Sequence, residues 1–492
     1  MNEHLCQLEP TIVWRHFQTL CNTPRPSYYE AQLRDLLIRW AEGRNLESYV
    51  DTAGNLLIRK PATAGMEDRQ GVVLQGHLDM VAQKNVQTQH DFTKDPILTR
   101  VEDGWLHAQG TTLGADNGIG VAAALAVLES NDIVHGPIEA LFTIEEESSL
   151  RGALQLEPGI LKGRLLLNLD SEDRGDVYIG CAGGADVNVS HTFKAQAIKD
   201  NEVSYEVRVS GLRGGHSGLD INKGRASANV ILVRLLSLLS QSLTYSLGSL
   251  SGGTLRNAIA REATASISMN KSHLDTFKDF LNHFTSTVQA EFASVEQNLT
   301  IEIAPVQLAT ALSEQDTCRL INAMTCAPHG VHRMSNALSG VTETSCNFGV
   351  MNLLDGESGI KKFDACLLVR SLLDDAVVHH ANQVRSAFVL IDAEVCVEND
   401  YPGWRPNPKA GLLKHFLEVH EEVMGQPANV KVIHAGLECG IIGAKYSGME
   451  MVSFGPNIRG AHSPDERMEI ESVTDFWRLL CALLASVPVQ PQ

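Results

Sequence analysis

Four apolar runs in this 492-residue chain each stop at side chains able to hold a divalent cation. Val72-Val73-Leu74 leads into Gly76-His77-Leu78-Asp79, and residues 138–144 lead into Glu145-Glu146-Glu147. Leu165-Leu166-Leu167 leads into Asn168-Leu169-Asp170, with Glu172 and Asp173 beyond, and residues 449–454, broken only by Glu450, lead towards His462. Asp116 lies apart, in the glycine-rich stretch 110–120. Imidazoles and carboxylates arriving from separate strands suit a hydrolytic centre with two metal ions. Such a centre needs one carboxylate to bridge ions ~3.5–4 Å apart, with His and Asp/Glu filling the outer positions. Asp116 is the candidate bridge, because flanking glycines permit backbone shapes that bring its carboxylate into a crevice.

Each group also has an ordinary explanation. Asp116 reads equally as a helix N-cap, His77 with Asp79 as a strand-end surface pair, and the Glu run as a solvated turn. His462 sits in a turn where exposed histidines are common. A phosphate-cradling loop at 110–120 is disfavoured, since Asp116 would oppose the phosphate and no Walker-type lysine follows. What favours the metal reading is the joint occurrence of five such groups beyond strand ends. Asp79, two residues after His77, can fix its tautomer and raise its basicity. Of the adjacent glutamates, one can bind metal while its neighbour serves as general base.

Short apolar runs bounded by glycine and polar clusters read as buried strands of a parallel sheet, and open α/β sheets bind ligands beyond the carboxyl ends of their strands. From about residue 10 to 185 helix and strand alternate. The middle changes character: Val203, Tyr205, Val207 and Val209 alternate with polar residues, the period of a strand with one wet face. Helices over 225–243, 274–294, 315–325 and 375–390 interleave there with strands at 254–269, 299–304, 341–353, 362–370 and 393–398. After Tyr401-Pro402-Gly403-Trp404 the first style returns. The expected fold is α/β, a catalytic domain with a mostly parallel central sheet (1–186 and 400–492) interrupted by an inserted α+β lid or dimerisation domain (187–399). The cleft is expected between them, where pockets are favoured.

A formal charge of −19 without a Lys/Arg cluster argues against a nucleic-acid partner. No apolar stretch approaches the ~20 residues that span a bilayer, so no membrane partner is expected. The start, Met1-Asn2-Glu3-His4, lacks signal-peptide character, and ten scattered cysteines fit reduced thiols in a cytoplasm.

These segments together resemble the aminoacyl-histidine (Xaa-His, β-alanyl-histidine) dipeptidases, within the wider family of co-catalytic zinc aminopeptidases, dipeptidases and deacylases. The general pattern is His77-x-Asp79, Asp116, Glu146-Glu147, Asp170 and His462. The narrower likeness rests on stretches 60–67, 90–96, 110–120, 252–259, 401–404 and 434–440, which run in order along nearly the whole chain. The resemblance implies that Asp116 bridges two ions, that His77 and Asp170 complete one, and that Glu147 and His462 complete the other. It makes Glu146 the general base, Asp79 the partner of His77, and His216, in Gly214-Gly215-His216-Ser217-Gly218, the group that polarises the scissile carbonyl. Asn257, Arg370 and His434 fall at substrate-contacting positions, Arg370 facing the substrate carboxylate. Two positions depart from the family's pattern: Ser149 replaces a usual glycine, and Ala260 a usual proline.

The implied reaction is hydrolysis of unblocked dipeptides, preferably with C-terminal histidine, by a metal-activated water with Glu146 as base. Two divalent ions are implied, zinc first, with cobalt or manganese also accepted by imidazole–carboxylate sets. A homodimer through the inserted domain is a further expectation. An aminoacylase or deacylase, or a different di- or tripeptidase, uses the same ligands. A non-catalytic metal- or peptide-binding protein is the rival of another class, and it needs no base beside its ions. A nicotinamide enzyme is poorer, lacking a G-x-G-x-x-G between strand and helix.

Overall fold

The computed structural model describes residues 2–336 and 338–490, and the chain divides into two compact units. The first comprises Met1–Cys181, Trp404–Val432 and Leu437–Gln492; the second comprises Ala182–Gly403 and Ile433–Gly436. The short piece carrying His434 therefore clusters with the second unit.

The first unit is built on an eight-stranded sheet. Its centre is parallel: Val72–His77 pairs with Ile138–Thr143 on one side and Leu165–Asn168 on the other, and Glu450–Ser453 extends the parallel set. Antiparallel strands finish both sides, Leu56–Lys60 and Glu47–Val50 at one and Asp176–Cys181 next to Glu450–Ser453 at the other. The sheet is thus largely parallel, as the continuous Val/Leu/Ile runs require when both faces are covered. Register aligns the strand ends, His77 with Thr143, Gln75 with Asn168, and Ser453 with Asn168.

Helix Ala115–Glu129 is buried along nearly its whole length and packs on Val72–His77, Ile138–Thr143 and helix Thr11–Asn22. Its small residues allow that approach. A Cβ on Gly120 would fall 2.3 Å from the Leu169 carbonyl oxygen, backbone that cannot yield. The side chain of Asn117 donates to the same carbonyl at 2.7 Å.

The second unit carries a nine-stranded sheet, including Glu202–Ser210, Ala263–Asn270, Thr342–Asp355, Ile360–Ser371 and Gly183–Lys194, whose mutual pairings are antiparallel. Helices Ala228–Leu239, Leu274–Phe292, Glu314–Cys326 and Asp374–Val389 share its core. One expected strand is broken: instead of 254–269 the chain forms Ser246–Gly252, a bridge at Ala258–Ile259, and Ala263–Asn270. The break is at Gly253, whose φ of 67° and 1.8 Å Cβ approach to the Gly349 carbonyl oxygen admit only glycine and turn residues 254–257 outwards. Among the described residues no helix is long and apolar enough to cross a membrane.

One half-buried histidine of this unit sets a pH dependence. His329 Nδ1 accepts the Phe348 amide at 3.1 Å, which requires a neutral ring. Burial, with a smaller contribution from His332, lowers its pKa from 6.5 to about 4. The unfolded chain takes the proton more readily, so stability present above pH 6.5 falls as pH drops towards 4. At ~1.4 kcal/mol per unit this group contributes about 3 kcal/mol at most. The difference between urea midpoints at pH 7 and pH 4.5 is expected to shrink in His329→Gln, whose amide oxygen can still accept the Phe348 N–H; an unchanged difference would assign the slope to other groups.

Candidate metal centre

The parallel strands deliver their terminal residues to one edge of the first unit's sheet. His77 closes Val72–His77, Glu146 and Glu147 open a single helical turn after Ile138–Thr143, and Asp170 follows Leu165–Asn168 by two residues. His462 lies between the short strands Ile458–Arg459 and Arg467–Glu469, at a φ of 64°.

Asp116 joins the two halves. Its Oδ1 is 3.0 Å from His77 Nε2, and its Oδ2 is 3.1 Å from His462 Nε2. His77 Nε2 is also 3.4 Å from Asp170 Oδ1, and His462 Nε2 is 3.0 Å from Glu147 Oε2. The N-cap alternative does not describe this residue: both its side-chain oxygens face imidazoles rather than amides of the helix's first turn. The Asp116–Asn117 peptide is cis. Potential ligand atoms fall into three groups, each within 4.8 Å of one another: His77/Asp116/Asp170, His77/Glu146/Glu147 and Asp116/Glu147/His462.

Asp79 does more than accompany His77. Its Oδ1 is 3.4 Å from His77 Nδ1 and accepts the Glu146 amide at 3.0 Å. Its Oδ2 accepts the Glu147 amide at 3.2 Å and the Ser27 hydroxyl at 2.8 Å. One carboxylate therefore orients the imidazole and fixes the turn that presents both glutamates. Glu145 turns away to pair with Arg151. Ser149 fits at the end of the turn, its hydroxyl 3.4 Å from Glu145 Oε2, and Ala260 is buried in the second unit's core.

Burial of several acids side by side dominates the electrostatics. Burial raises Glu146 well above the usual range; burial, with the charge of Asp116, raises Glu147 to about 7. Burial likewise lifts Asp170 to about 6 and Glu172 to about 8. Hydrogen bonds to Asp116 and Glu147 hold His462 up at about 11. Burial opposes charge on His77, but Asp170 and hydrogen bonds to its carboxylate neighbours prevail and raise it well above 6.5. Asp116 goes the other way: burial opposes its charge, yet hydrogen bonds from His462 and His77 depress its pKa strongly.

The donor set is nitrogen and carboxylate oxygen only; among the described residues the buried Glu147 Oε1 has no hydrogen-bond partner, and Asp170 Oδ1 has only the 3.4 Å approach of His77 Nε2. Unsatisfied buried carboxylate oxygens are costly, and divalent cations complete them. The residues fit a two-ion site.

A support the sequence reading missed is Glu438, fully buried. Its Oε2 accepts Gln75 Nε2 at 2.5 Å and Thr143 Oγ1 at 2.6 Å, while Asn168 Nδ2 donates to Gln75 Oε1 at 2.5 Å. Three strands are tied by this chain just before their functional ends. A lone carboxylate inside the apolar run 435–442 was the available signal.

In the second unit the other expected residues gather around the loop 214–220. His216 Nδ1 accepts the amides of Gly218 and Leu219 at 3.2 and 3.0 Å, so the neutral ring carries its proton on Nε2. The Ser217 amide donates to the Asn257 carbonyl at 2.8 Å, and Arg370 Nε reaches Ser217 Oγ at 3.4 Å. Arg370 is buried, donates to Tyr401 Oη at 2.7 Å, and has no ion-paired carboxylate among the described residues. His434 Nε2 lies 2.7 Å from Ser345 Oγ, and burial, then Arg370 and His216, lower its pKa to about 3.

Comparison with known proteins agrees with this architecture. The profile of peptidase family M20/M25/M40 matches residues 73–486. The chain is 42% identical to the cytosol non-specific dipeptidase of Escherichia coli (strain K12) over 490 residues, 99% of each protein. The crystal structure of aminoacylhistidine dipeptidase from Vibrio alginolyticus superposes with a TM-score of 0.90 at 41% identity, covering 99% of each chain. A Staphylococcus aureus tripeptidase shares the fold at 17% identity and a TM-score of 0.59, over 98% of this chain and 99% of its own.

Proposed function

The chain belongs to peptidase family M20/M25/M40, and from that premise we propose that it is a two-metal dipeptidase that prefers dipeptides with C-terminal histidine. The observation that carries the metal reading is Asp116, with one oxygen directed to each of two His-carboxylate groups. His77, Asp116 and Asp170 would hold one ion; Asp116, Glu147 and His462 the other. Bound there, zinc, or cobalt or manganese, supplies Lewis-acid charge that polarises a carbonyl and makes water a better nucleophile.

The chain's own groups do the rest. Glu146, buried and raised in pKa, takes a proton from the attacking water and returns it to the leaving amine. Asp79 keeps the glutamate turn and the His77 ring in place. The family resemblance makes His216, whose proton sits on Nε2, the donor to the developing oxyanion, in its own chain or in a second copy. Arg370, a buried cation with no ion-paired carboxylate among the described residues, suits the substrate's carboxylate, and Asn257 and His434 line the same loop cluster. The name of the E. coli relative supports a cytoplasmic location.

The test is a substrate panel on metal-replete protein, with and without chelator. L-carnosine and other Xaa-His dipeptides are expected to turn over fastest, N-acetyl amino acids and tripeptides at least ~10-fold more slowly in kcat/KM, a discrimination of ~1.4 kcal/mol. Preference for an N-acetyl amino acid would replace the dipeptidase reading by a deacylase, and bound metal without turnover would make it a binding protein. Pairing of two copies through the inserted domain is read from sedimentation of the same sample.

A further inference from the structure

The stretch 113–116 presents four successive backbone N–H groups, and one carboxylate takes all of them. Glu466 Oε2 accepts Leu113 and Gly114 at 2.7 and 3.0 Å, and Oε1 accepts Ala115 and Asp116 at 2.8 and 3.3 Å. From the carbonyl side a guanidinium holds the same stretch. Arg25 Nη2 donates to the Gly114 oxygen at 2.5 Å, and Nη1 donates to the Leu78 and Asp79 oxygens at 3.0 Å each. Both side chains are 2% exposed. Glycine is required between them: Gly114 has φ 68°, and a Cβ on Gly114 or Gly118 would come within 2.7 or 2.5 Å of Arg25 Nη2.

We propose that Glu466 and Arg25 are positioning residues that together fix the reach of Asp116 between its two imidazoles. The proposal rests on the metal reading given above. Three segments are joined by this pair: the strand end with His77, the loop with Asp116, and the turn in which His462 precedes Glu466 by four residues. A bridging carboxylate must present each oxygen to a different ion, and a shift of ~0.5 Å spoils such a geometry. Glu466 acts on the amides and Arg25 on the carbonyls, so neither alone sets both the height and the tilt of the loop. Charge matters as well as shape: anion and cation, both buried, compensate one another across the same four residues.

The measurement is the affinity of the full-length protein for each of two Co2+ equivalents, by chelator competition, with the Co2+ absorption spectrum as an independent readout. Glu466→Gln keeps only one good acceptor for four donors, and Arg25→Lys keeps charge but loses the fork. In both, the weaker equivalent is expected to bind ~10–100-fold less tightly and the Co2+ band to shift, a loss usual for groups that orient metal ligands. Glu139→Gln is the control. Glu139 is 5% exposed and accepts the Lys162 and Gly163 amides at 2.7 and 2.8 Å at the opposite end of its strand. That variant should lose melting temperature without losing metal affinity.

If Glu466→Gln does not fold, Arg25→Lys carries the same comparison. Affinities within ~3-fold of wild type in a folded clamp variant would overturn the proposal, since orienting partners cost more than that. Wild-type protein that takes fewer than two equivalents would instead overturn the two-metal reading beneath it.

Discussion

Glu146→Gln should bind both metal equivalents and yet lose at least ~10³-fold in kcat, the order lost when a group essential to proton transfer or oxyanion stabilisation is removed. Its carboxylate faces the centre without being one of the closest contacts: Oε2 is 4.0 Å from His77 Nε2, against 3.0 Å for Asp116. Its backbone is pinned by Asp79 at 3.0 Å, so the amide side chain enters the same place with the same direction. Gln cannot accept a full proton, which isolates the acid–base role from the binding role. The informative pattern is kcat lost with KM and metal content held. Near-normal turnover in this variant would refute the assignment of the base, and loss of one metal would recast Glu146 as a ligand.

The fold and the centre were legible to different degrees, for physical reasons. Buried parallel strands announce themselves because both faces demand apolar residues, so Val72–His77, Ile138–Thr143 and Leu165–Asn168 stand out, and the polar residues that end them become visible by contrast. The family resemblance supplied the roles of those residues, which spacing alone left open between ligand, cap and surface pair. What holds them was not visible. Glu466 lies in the charged run Asp465-Glu466-Arg467 and reads as a solvated turn, although it is buried under four amides. Arg25, between two prolines, reads as a loop cation. Backbone-directed hydrogen bonds leave no pattern in side-chain types, because any loop can supply amides and carbonyls. The break after Gly252 was hidden for a related cause: the obstacle that makes Gly253 obligatory is the carbonyl of Gly349, almost a hundred residues away.

Asp116→Ala should be the most damaging single change at the centre. Glu147 with His462 and Asp170 with His77 would remain as two separate two-residue sets, each short of the three protein ligands typical of catalytic sites. Both ions are therefore expected to weaken together rather than one alone, and kcat/KM to fall by at least ~10³-fold, the equivalent of several kcal/mol of lost Lewis-acid stabilisation. Loss of only one equivalent, with the other bound as in wild type, would show that Asp116 serves a single ion. Asp116→Asn sharpens the test, because the amide keeps one good ligand oxygen and the loop geometry held by Glu466 and Arg25. If one oxygen suffices, Asn retains one ion; if the shared charge is what holds the pair, both are lost. The geometry favours the second outcome: Asp116 directs one oxygen to each imidazole, Oδ1 to His77 and Oδ2 to His462, whereas Asp170 approaches only His77 and Glu147 only His462 among the described residues.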